Sequence, residues 1–483
     1  MPQRKYIDFK LYLTAAPGGQ GTCQVALLPT LEVGEAITPV VVPADKAPGS
    51  DLLACLAAKQ ITLRNLATFG KQLSDCLLPA GPIRDLFRDA HRHAGEDGGV
   101  RLRLIIADHA LKQWPWEYMY LDLLGDGQDS MRGFLALNKS ISIVRHEPLP
   151  FPHPAPAAAP AGLTQLPMLI AAALPSGAPK LNLDQEIATI RDVVAGIDLA
   201  GMRITPKVLK DATRDELSQA LLGAGSAFIF HFAGHGEIGT QRDDFNRGVP
   251  KESGYIVLLA DHVTKQRDRF SAEELARHLQ GAGVRLAVLG ACNSGARNAT
   301  YPWDGVASAL AANGIPAVIA MQFEVVDVQA TAFARALYAA LGLGLSLDEA
   351  AWSGRAAMLE STSTELDGIV NVEWGVPVLY SRLPDGALFP ERIKESGSGS
   401  AADAFRKVFS QTVDGIQEGT MTGVKVELIK NGVKIVQMVK EVRGEITGIQ
   451  AGTADANANI EVEQEIGTVA KDAVVIGGSF TEL

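Results

Sequence analysis

The chain has 483 residues, of which 47% are hydrophobic. A chain of this length can bury a large core and is expected to fold as about two to four units. Its formal net charge of −11, without any dense run of Lys and Arg, argues against a nucleic-acid backbone as the main partner. The amino terminus lacks the apolar segment of a secretory signal, and no apolar run approaches the roughly 18 residues of a membrane span, so a cytoplasmic protein without membrane contact is expected.

The first block, residues 1–150, is predicted to be a non-catalytic α/β half. Apolar alternating runs at 6–14, 100–108 and 134–144 predict strands, and residues 50–92 predict helices. The uncharged, Pro- and Ala-rich stretch 151–162 that follows is typical of an extended linker.

The middle block, residues 163–390, alternates short apolar runs with stretches of helical period. This pattern is typical of βαβ units around a mostly parallel sheet, with functional loops at the carboxyl ends of the strands. Helix starts are marked by Thr213 with Glu216, Ser271 with Glu274, and Ser346 with Glu349. The predicted strands are 166–174, 202–209, 227–234, 284–291, 315–323 and 376–381.

The last block follows a Gly/Ser linker at 391–404 and is predicted to be a small, mainly β domain over 405–483. Residues 401–483 contain no His, Cys, Trp or Tyr, so we expect recruitment of a partner or substrate rather than catalysis. An amphipathic helix is predicted at 401–416, and Asn431-Gly432 between two alternating runs predicts a β-hairpin.

Two predicted strands of the middle block end in groups suited to nucleophilic catalysis. His235 follows the strand in AFIFHFAGHGE, and Cys292 follows the strand in VRLAVLGACNSG. If the two strands are parallel neighbours, both side chains lie at one edge of the sheet, where an imidazole can activate a thiol. The backbone amides of Gly236 and Cys292 are then candidate donors for an oxyanion.

These motifs, followed by WDGVASALAANGIPAVIAMQFEV and WGVPVLY, closely resemble the CHAT family of caspase-like peptidases, in the clan of caspases and separases. Trp116-Glu117 resembles the segment that precedes the catalytic half in that family. The resemblance implies a caspase-like three-layer fold and a catalytic dyad of His235 and Cys292. It also implies a cytoplasmic cysteine endopeptidase of a protein partner, in a bacterial signalling, defence or cell-death pathway, activated by a partner or ligand.

Substrate choice is open at this stage. Members of the family and its clan often place acidic groups near the pocket for the residue before the cleaved bond, and Asp304, Glu324 and Asp327 follow the relevant strands. They are candidates for such a P1 pocket, and a basic P1 residue is the corresponding hypothesis. Asp304 has the equally plausible interpretation of a helix N-cap.

Other interpretations compete with this one. Cys23, Cys55 and Cys76 are interpreted as small buried hydrophobic residues, and the spacing of the four cysteines predicts neither disulfides nor a zinc site. His231 and His235 form H-x-x-x-H on a strand, so no metal or other cofactor is predicted, and His231 is interpreted as a core or supporting residue. The functional alternatives are a catalytically silent CHAT-like scaffold or switch and a thiol transferase.

Overall fold

The computed structural model describes most of the chain. The described residues are 4–388, apart from 20, 31, 35–38, 124–128, 150–164, 180, 200–201, 224, 226–227, 243–249, 291–301, 324, 362–367 and 385, and also 410–413, 420–429, 433–442, 445–454, 460–469, 474–476 and 479–480. Both linkers predicted from composition, and Cys292 and Glu324, lie outside these residues. Within the described part there is no helix with the length and apolar character that a membrane crossing requires.

The chain divides into two compact units. The larger comprises Pro2–Ala195 and Met202–Pro390, and the smaller comprises Glu391–Leu483 together with Gly196–Gly201. In the first part of the larger unit the elements are β1 Lys5–Thr14, β2 Cys23–Leu28, β3 Val40–Val42, α1 Ser50–Ala57, α2 Leu63–Leu77, α3 Pro82–Ala94, β4 Gly98–Ile106, α4 His109–Lys112 and β5 Ile141–Arg145.

The part of the chain between residues 163 and 390 carries the remaining elements before the C-terminal segments. They are β6 Gln165–Ala173, α5 Leu183–Ala195, β7 Asp198–Leu199, β8 Met202–Leu209, α6 Arg214–Ala220, β9 Ile229–Gly234, β10 Gly236–Arg242, β11 Pro250–Leu259, β12 Arg267–Ser271, α7 Ala272–Ala282, β13 Leu286–Leu289, α8 Pro302–Ala312, β14 Ala317–Met321, α9 Asp327–Gly342, α10 Leu347–Glu360 and β15 Pro377–Ser381.

A large mixed sheet forms the centre of the larger unit. Its strands follow the order β3-β2-β1-β4-β5-β15-β14-β13-β9-β6-β8. The pairs from β1 through β4 and β5 to β15, and from β14 through β13, β9 and β6 to β8, are parallel, whereas β14 and β15 are antiparallel. The mostly parallel α/β sheet predicted from the sequence is thereby confirmed, and the blocks before and after the 151–162 linker contribute to one sheet.

Helices cover both faces of the sheet, as the alternation of side chains along β9 illustrates. Phe230 and Phe232 lie in a core shared with α7 and α8, whereas His231 between them contacts residues of α5 and α9 on the other face. The predicted helix starts are also confirmed, because Thr213, Ser271 and Ser346 each accept a hydrogen bond from a backbone N–H in the first turn that follows.

A small antiparallel sheet, β10-β11-β12, lies between β9 and β13 in the chain and was not predicted. Its first strand, GEIGTQR, is short and polar and gives little hydrophobic signal. It leads the chain away from the carboxyl edge of the large sheet and back into α7.

The described segments of the C-terminal unit are strands: β16 Ser410–Val413, β17 Thr420–Ile429, β18 Val433–Val442, β19 Glu445–Ala454, β20 Ile460–Val469, β21 Val474–Ile476 and β22 Ser479–Phe480. The hairpin prediction is wrong, since β17 pairs in parallel with β19 and β18 in parallel with β20. The helix prediction for 401–416 is wrong over 410–413, which form β16. Asn431-Gly432 itself lies outside the described residues, and each flanking strand pairs with one farther along the chain.

Candidate active site

The two strands that carry the predicted catalytic pair are neighbours. β9 and β13 run parallel, with Leu289 in register with Phe232. The backbone N–H of Gly290 continues the pairing by donating to the carbonyl oxygen of Phe232 at 2.7 Å. The carboxyl ends of both strands therefore lie at the same edge of the sheet, as the sequence predicts.

His235 occupies the single position between β9 and β10. Its side chain is buried, and its Nε2 lies 3.1 Å from the carbonyl oxygen of Pro179. Because a carbonyl oxygen only accepts, Nε2 carries a hydrogen and donates it, which makes Nδ1 the basic nitrogen of the neutral ring. The His235 carbonyl oxygen accepts from Val257 at 2.9 Å, so the backbone is fixed as well.

The electrostatic surroundings of His235 favour its neutral form. Burial lowers the pKa of the imidazole, the Pro179 carbonyl and Glu237 oppose that change, and Arg267 adds to it, so that the pKa lies below the usual 6.5. An imidazole of lowered pKa is unprotonated near neutral pH and is able to accept a proton.

The loop between β6 and α5, which supplies the Pro179 carbonyl, is anchored on both sides. The backbone N–H of Ser176 donates to the carbonyl oxygen of Lys265 at 2.8 Å, and the Ser176 hydroxyl donates to the carbonyl oxygen of Thr264 at 3.2 Å. Farther along, the N–H of Asn182 donates to a carboxylate oxygen of Asp327 at 2.9 Å. These contacts hold in place the oxygen that orients His235.

The predicted P1 residues occupy different places. Asp327 is the first residue of α9, and its partly buried carboxylate accepts the hydrogen bond from Asn182. Asp304 is the third residue of α8, which begins at Pro302, so its interpretation as an N-cap is wrong. Glu324 lies outside the described residues, as does Cys292.

A buried ionic cluster lies at the end of β14, the other neighbour of β13. Arg145 donates to both carboxylate oxygens of Glu117, at 3.3 and 3.0 Å, and Gln322 donates to Glu117 at 2.9 Å. Gln322 also donates to the carbonyl oxygen of Gly375 at 2.9 Å. The Trp116-Glu117 segment thus ties the first half of the chain to the strand end beside the candidate site, and the sequence signal for it was its resemblance to the segment that precedes the catalytic half in the family named above.

His231, four residues before His235, is a buried residue of β9 with hydrogen-bond partners on two helices. Among the described residues no group of three His, Cys, Asp or Glu side chains could hold a metal ion. Both ring nitrogens of His231 have partners, Tyr338 and Glu186, which sequence reasoning did not identify. Glu186 and Tyr338 each lie within a helix of ordinary amphipathic pattern, so no sequence signal distinguishes them.

A mostly parallel α/β sheet with a buried, oriented histidine at the end of one strand defines a mixed α/β protein with a candidate active site at its carboxyl edge. Residues 68–401 match the CHAT domain family, and the chain belongs to that family. The resemblance stated from the two motifs is confirmed.

Comparison with other proteins adds a partial likeness. No curated protein matches the chain. A 3.0 Å crystal structure of the Saccharomyces cerevisiae separase-securin complex is 13% identical with a TM-score of 0.31, and the match covers 58% of this chain and 15% of that one. For a 2.6 Å structure of the same complex, the identity is 12%, the TM-score 0.30 and the coverage 73% and 21%. The chain therefore spans well under two thirds of the length of either.

Proposed function

We propose that the chain is a cysteine endopeptidase in which Cys292 is the nucleophile and His235 its base. The pairing of β9 with β13 carries this proposal. Leu289 and Phe232 are register partners, and Cys292 and His235 each follow one of these partners by three positions. Residues at the same distance beyond paired positions of parallel strands leave the sheet at the same edge, within reach of a shared substrate.

The orientation of His235 suits this chemistry. With hydrogen on Nε2 and Pro179 as its acceptor, Nδ1 takes the proton of the Cys292 thiol, and the thiolate attacks the peptide carbonyl carbon. The proton then passes from the imidazole to the leaving amine, and water hydrolyses the thioester. In this step the Pro179 carbonyl stabilises the positive charge that forms on the ring.

The amide of Gly236 is a suitable oxyanion donor, together with that of Cys292. The His235 carbonyl points at β11, where it accepts from Val257. In an antiparallel pair the backbone groups of successive residues point alternately toward and away from the partner strand, so the N–H of Gly236, the first residue of β10, points away from β11. An oxyanion donor of this kind contributes about 3 kcal/mol to the transition state.

The substrate is proposed to be a protein, cleaved after a residue selected by Asp304, Glu324 or Asp327, with a basic residue as the first choice. The pathway is proposed to be bacterial signalling, defence or cell death, with activation by a partner or ligand. The C-terminal unit, which is compact by itself, is proposed to recruit the substrate or activator.

The test compares wild type with Cys292→Ala and His235→Ala, with Cys55→Ala as matched control because Cys55 is a partly buried cysteine outside the candidate site. A peptide library is incubated with each protein, and each thiol is followed by iodoacetamide labelling and mass spectrometry. We expect cleavage by wild type and Cys55→Ala only, and preferential labelling of Cys292 that is lost in His235→Ala. Labelling of Cys292 no faster than that of Cys55, together with absent cleavage, supports the silent scaffold instead.

A further inference from the structure

A buried chain of hydrogen bonds lies beneath the end of β13. The Tyr338 hydroxyl lies 2.9 Å from Nδ1 of His231, and Nε2 of His231 lies 3.1 Å from Oε1 of Glu186. All three side chains are buried, with Tyr338 fully enclosed. They come from α9, β9 and α5 respectively, so one chain of bonds joins two helices to the strand that leads to His235.

Donors and acceptors in this chain have one consistent direction. Burial, assisted by the negative charge of Glu186, raises the pKa of Tyr338 well above 10, so the hydroxyl keeps its proton and donates to Nδ1. Because the Glu186 carboxylate only accepts, Nε2 of His231 carries a hydrogen and donates it to Oε1. Both links of His231 are made, and a displacement of α5 or α9 relative to β9 would lengthen one of them.

The backbone at the end of β13 packs directly against the hydrogen-bonded side chains of Glu186 and His231. A Cβ atom placed on Gly290 would lie 2.8 Å from Oε1 of Glu186 and 3.3 Å from Nε2 of His231, and 3.0 Å from the carbonyl oxygen of Phe232. Only a residue without a side chain fits against the Glu186–His231 bond at this distance. Gly290 is two positions before Cys292, so the backbone that leads to the proposed nucleophile leaves the sheet from this contact.

We propose that Glu186, His231 and Tyr338 are positioning residues that fix Gly290 and, through it, the direction in which the chain continues to Cys292. The inference rests on the proposed function, because Cys292 is the group that needs to be placed. Burying a polar side chain costs more free energy than burying an apolar one of equal volume. A buried hydrogen bond, however, is directional and fixes the relative positions of its two groups. Apolar packing between α5, β9 and α9 permits sliding, whereas this hydrogen-bond chain has one geometry.

The test uses Tyr338→Phe and two substitutions of Glu186 in the full chain. Tyr338→Phe removes one hydroxyl and little volume, Glu186→Leu removes the acceptor, and Glu186→Gln keeps an acceptor oxygen and is the conservative rescue. Tyr120→Phe is the matched control, since the buried Tyr120 hydroxyl accepts from Ser130 in the first half of the chain.

Two readouts are followed. The first is reactivity at Cys292, measured as its rate constant with iodoacetamide relative to that of Cys55. For any peptide that is cleaved, kcat and KM are measured as well. The second is hydrogen exchange of the Gly290 amide, which is bonded to Phe232 in wild type. We expect Tyr338→Phe and Glu186→Leu to lower the relative rate of Cys292 and kcat by about 10- to 100-fold, the cost typical of a small misplacement, with KM unchanged. Exchange at Gly290 should rise, and Glu186→Gln should stay within a few-fold of wild type.

The outcomes separate the two proposals. If Cys292 of wild type reacts no faster than Cys55, the proposed dyad fails, while faster exchange at Gly290 in the variants still supports the fixing of that residue. If Cys292 of wild type is selectively reactive and Tyr338→Phe leaves its rate within twofold, as Tyr120→Phe should, the positioning role is overturned whatever the change in stability.

Discussion

His235 donates a hydrogen bond from Nε2 to the carbonyl oxygen of Pro179 at 3.1 Å, across the gap between the ends of two neighbouring strands. The bond joins an imidazole at the end of β9 to a loop that follows β6. It fixes which nitrogen is basic, and it also opposes, without cancelling, the lowering of the His235 pKa by burial.

The pH dependence of kcat/KM should therefore have a low acid limb. Since His235 accepts a proton only when neutral, activity is lost as the pH falls through its pKa, and the midpoint of that limb should lie below 6.5. Glu237 raises and Arg267 lowers this pKa, so Glu237→Gln should move the midpoint to lower pH and Arg267→Gln to higher pH. The measurement is the pH profile of peptide cleavage by wild type and both variants, and shifts in the same direction would contradict the assignment.

Asp327 has two possible roles that substitution separates. As an anchor of the loop that carries Pro179, its carboxylate needs only an acceptor oxygen for the N–H of Asn182. Asp327→Asn should then retain activity, and Asp327→Ala should lower kcat for every peptide by about tenfold through misplacement of His235. If Asp327 instead forms the floor of a pocket for a basic P1 residue, Asp327→Asn and Asp327→Ala should both raise KM, and only for peptides with a basic P1 residue. Cleavage of matched peptides with Lys or Leu before the cleaved bond distinguishes the two.

The sequence predicts most of the strands of the large sheet. In the contacts of His235 and His231, it indicates the histidine but not its partners. The apolar runs at 166–174 and 227–234 correspond closely to β6 and β9, because strands covered on both faces are mostly apolar, and the more polar run at 202–209 corresponds to β8, which is partly exposed. The β10-β11-β12 sheet was missed because its first strand is short and polar, and the parallel pairing of β17 with β19 was missed because it skips the strand next in the chain, which no local period encodes.

For the site, the glycine-flanked His235 was visible in the sequence, but its acceptor was not. The Pro179 acceptor is a backbone carbonyl, which every residue has, so no residue type indicates it. Glu186 and Tyr338 lie within helices whose polar and apolar residues look ordinary, and their meeting at His231 follows from the packing of α5 and α9 over β9. Sequence patterns give the positions of reactive groups, and tertiary packing selects their partners.

Removal of residues 396–483 tests the proposed recruitment. These residues belong to a separate compact unit, so the remaining chain keeps the large sheet and His235. We expect unchanged kcat/KM for short peptides and weaker cleavage of the natural protein target, because a tethered binding unit raises the effective concentration of the target by orders of magnitude. Equal loss of both activities, measured side by side, would contradict recruitment and indicate a structural role.

The buried pair of Arg101 and Asp348 joins β4 to α10 and should contribute strongly to the stability of the larger unit. Arg101 donates from Nε and Nη2 to Asp348 at 2.9 and 2.7 Å, and both side chains are 2% exposed. Asp348→Asn should lower the free energy of unfolding by about 3–5 kcal/mol, since it leaves a buried guanidinium partly uncompensated. Asp8→Asn is the control, because the partly exposed Asp8 bonds the same Arg101 and should cost less. Urea denaturation measures both.

The same pair predicts an acid limit to stability. Burial by itself raises the pKa of Asp348, but the charge and hydrogen bonds of Arg101 and the bond from Ser142 outweigh it, so the pKa lies below 3.8. The contribution of the carboxylate is thus present above pH 3.8 and is lost as the pH falls through the lowered pKa. The difference in unfolding free energy between wild type and Asp348→Asn should shrink over that range.

Two glycines offer a matched test of the packing of α8, the first described helix after Cys292 in the chain. A Cβ on Gly254 of β11 would lie 2.5 Å from the backbone nitrogen of Val306, so Gly254→Ala has to displace α8. Gly281 lies in α7 with open space around its Cα, and Gly281→Ala should stabilise the protein by about 0.5–1 kcal/mol through helix propensity.

We expect Gly254→Ala to lower the free energy of unfolding by about 1–3 kcal/mol, as overpacking against a backbone does. Gly254→Ala should also lower kcat, because α8 follows the segment of Cys292 in the chain, whereas Gly281→Ala should leave kcat unchanged. Thermal unfolding and peptide cleavage measured on both variants check this. A Gly254→Ala variant with wild-type kcat would show that α8 tolerates displacement without disturbing Cys292.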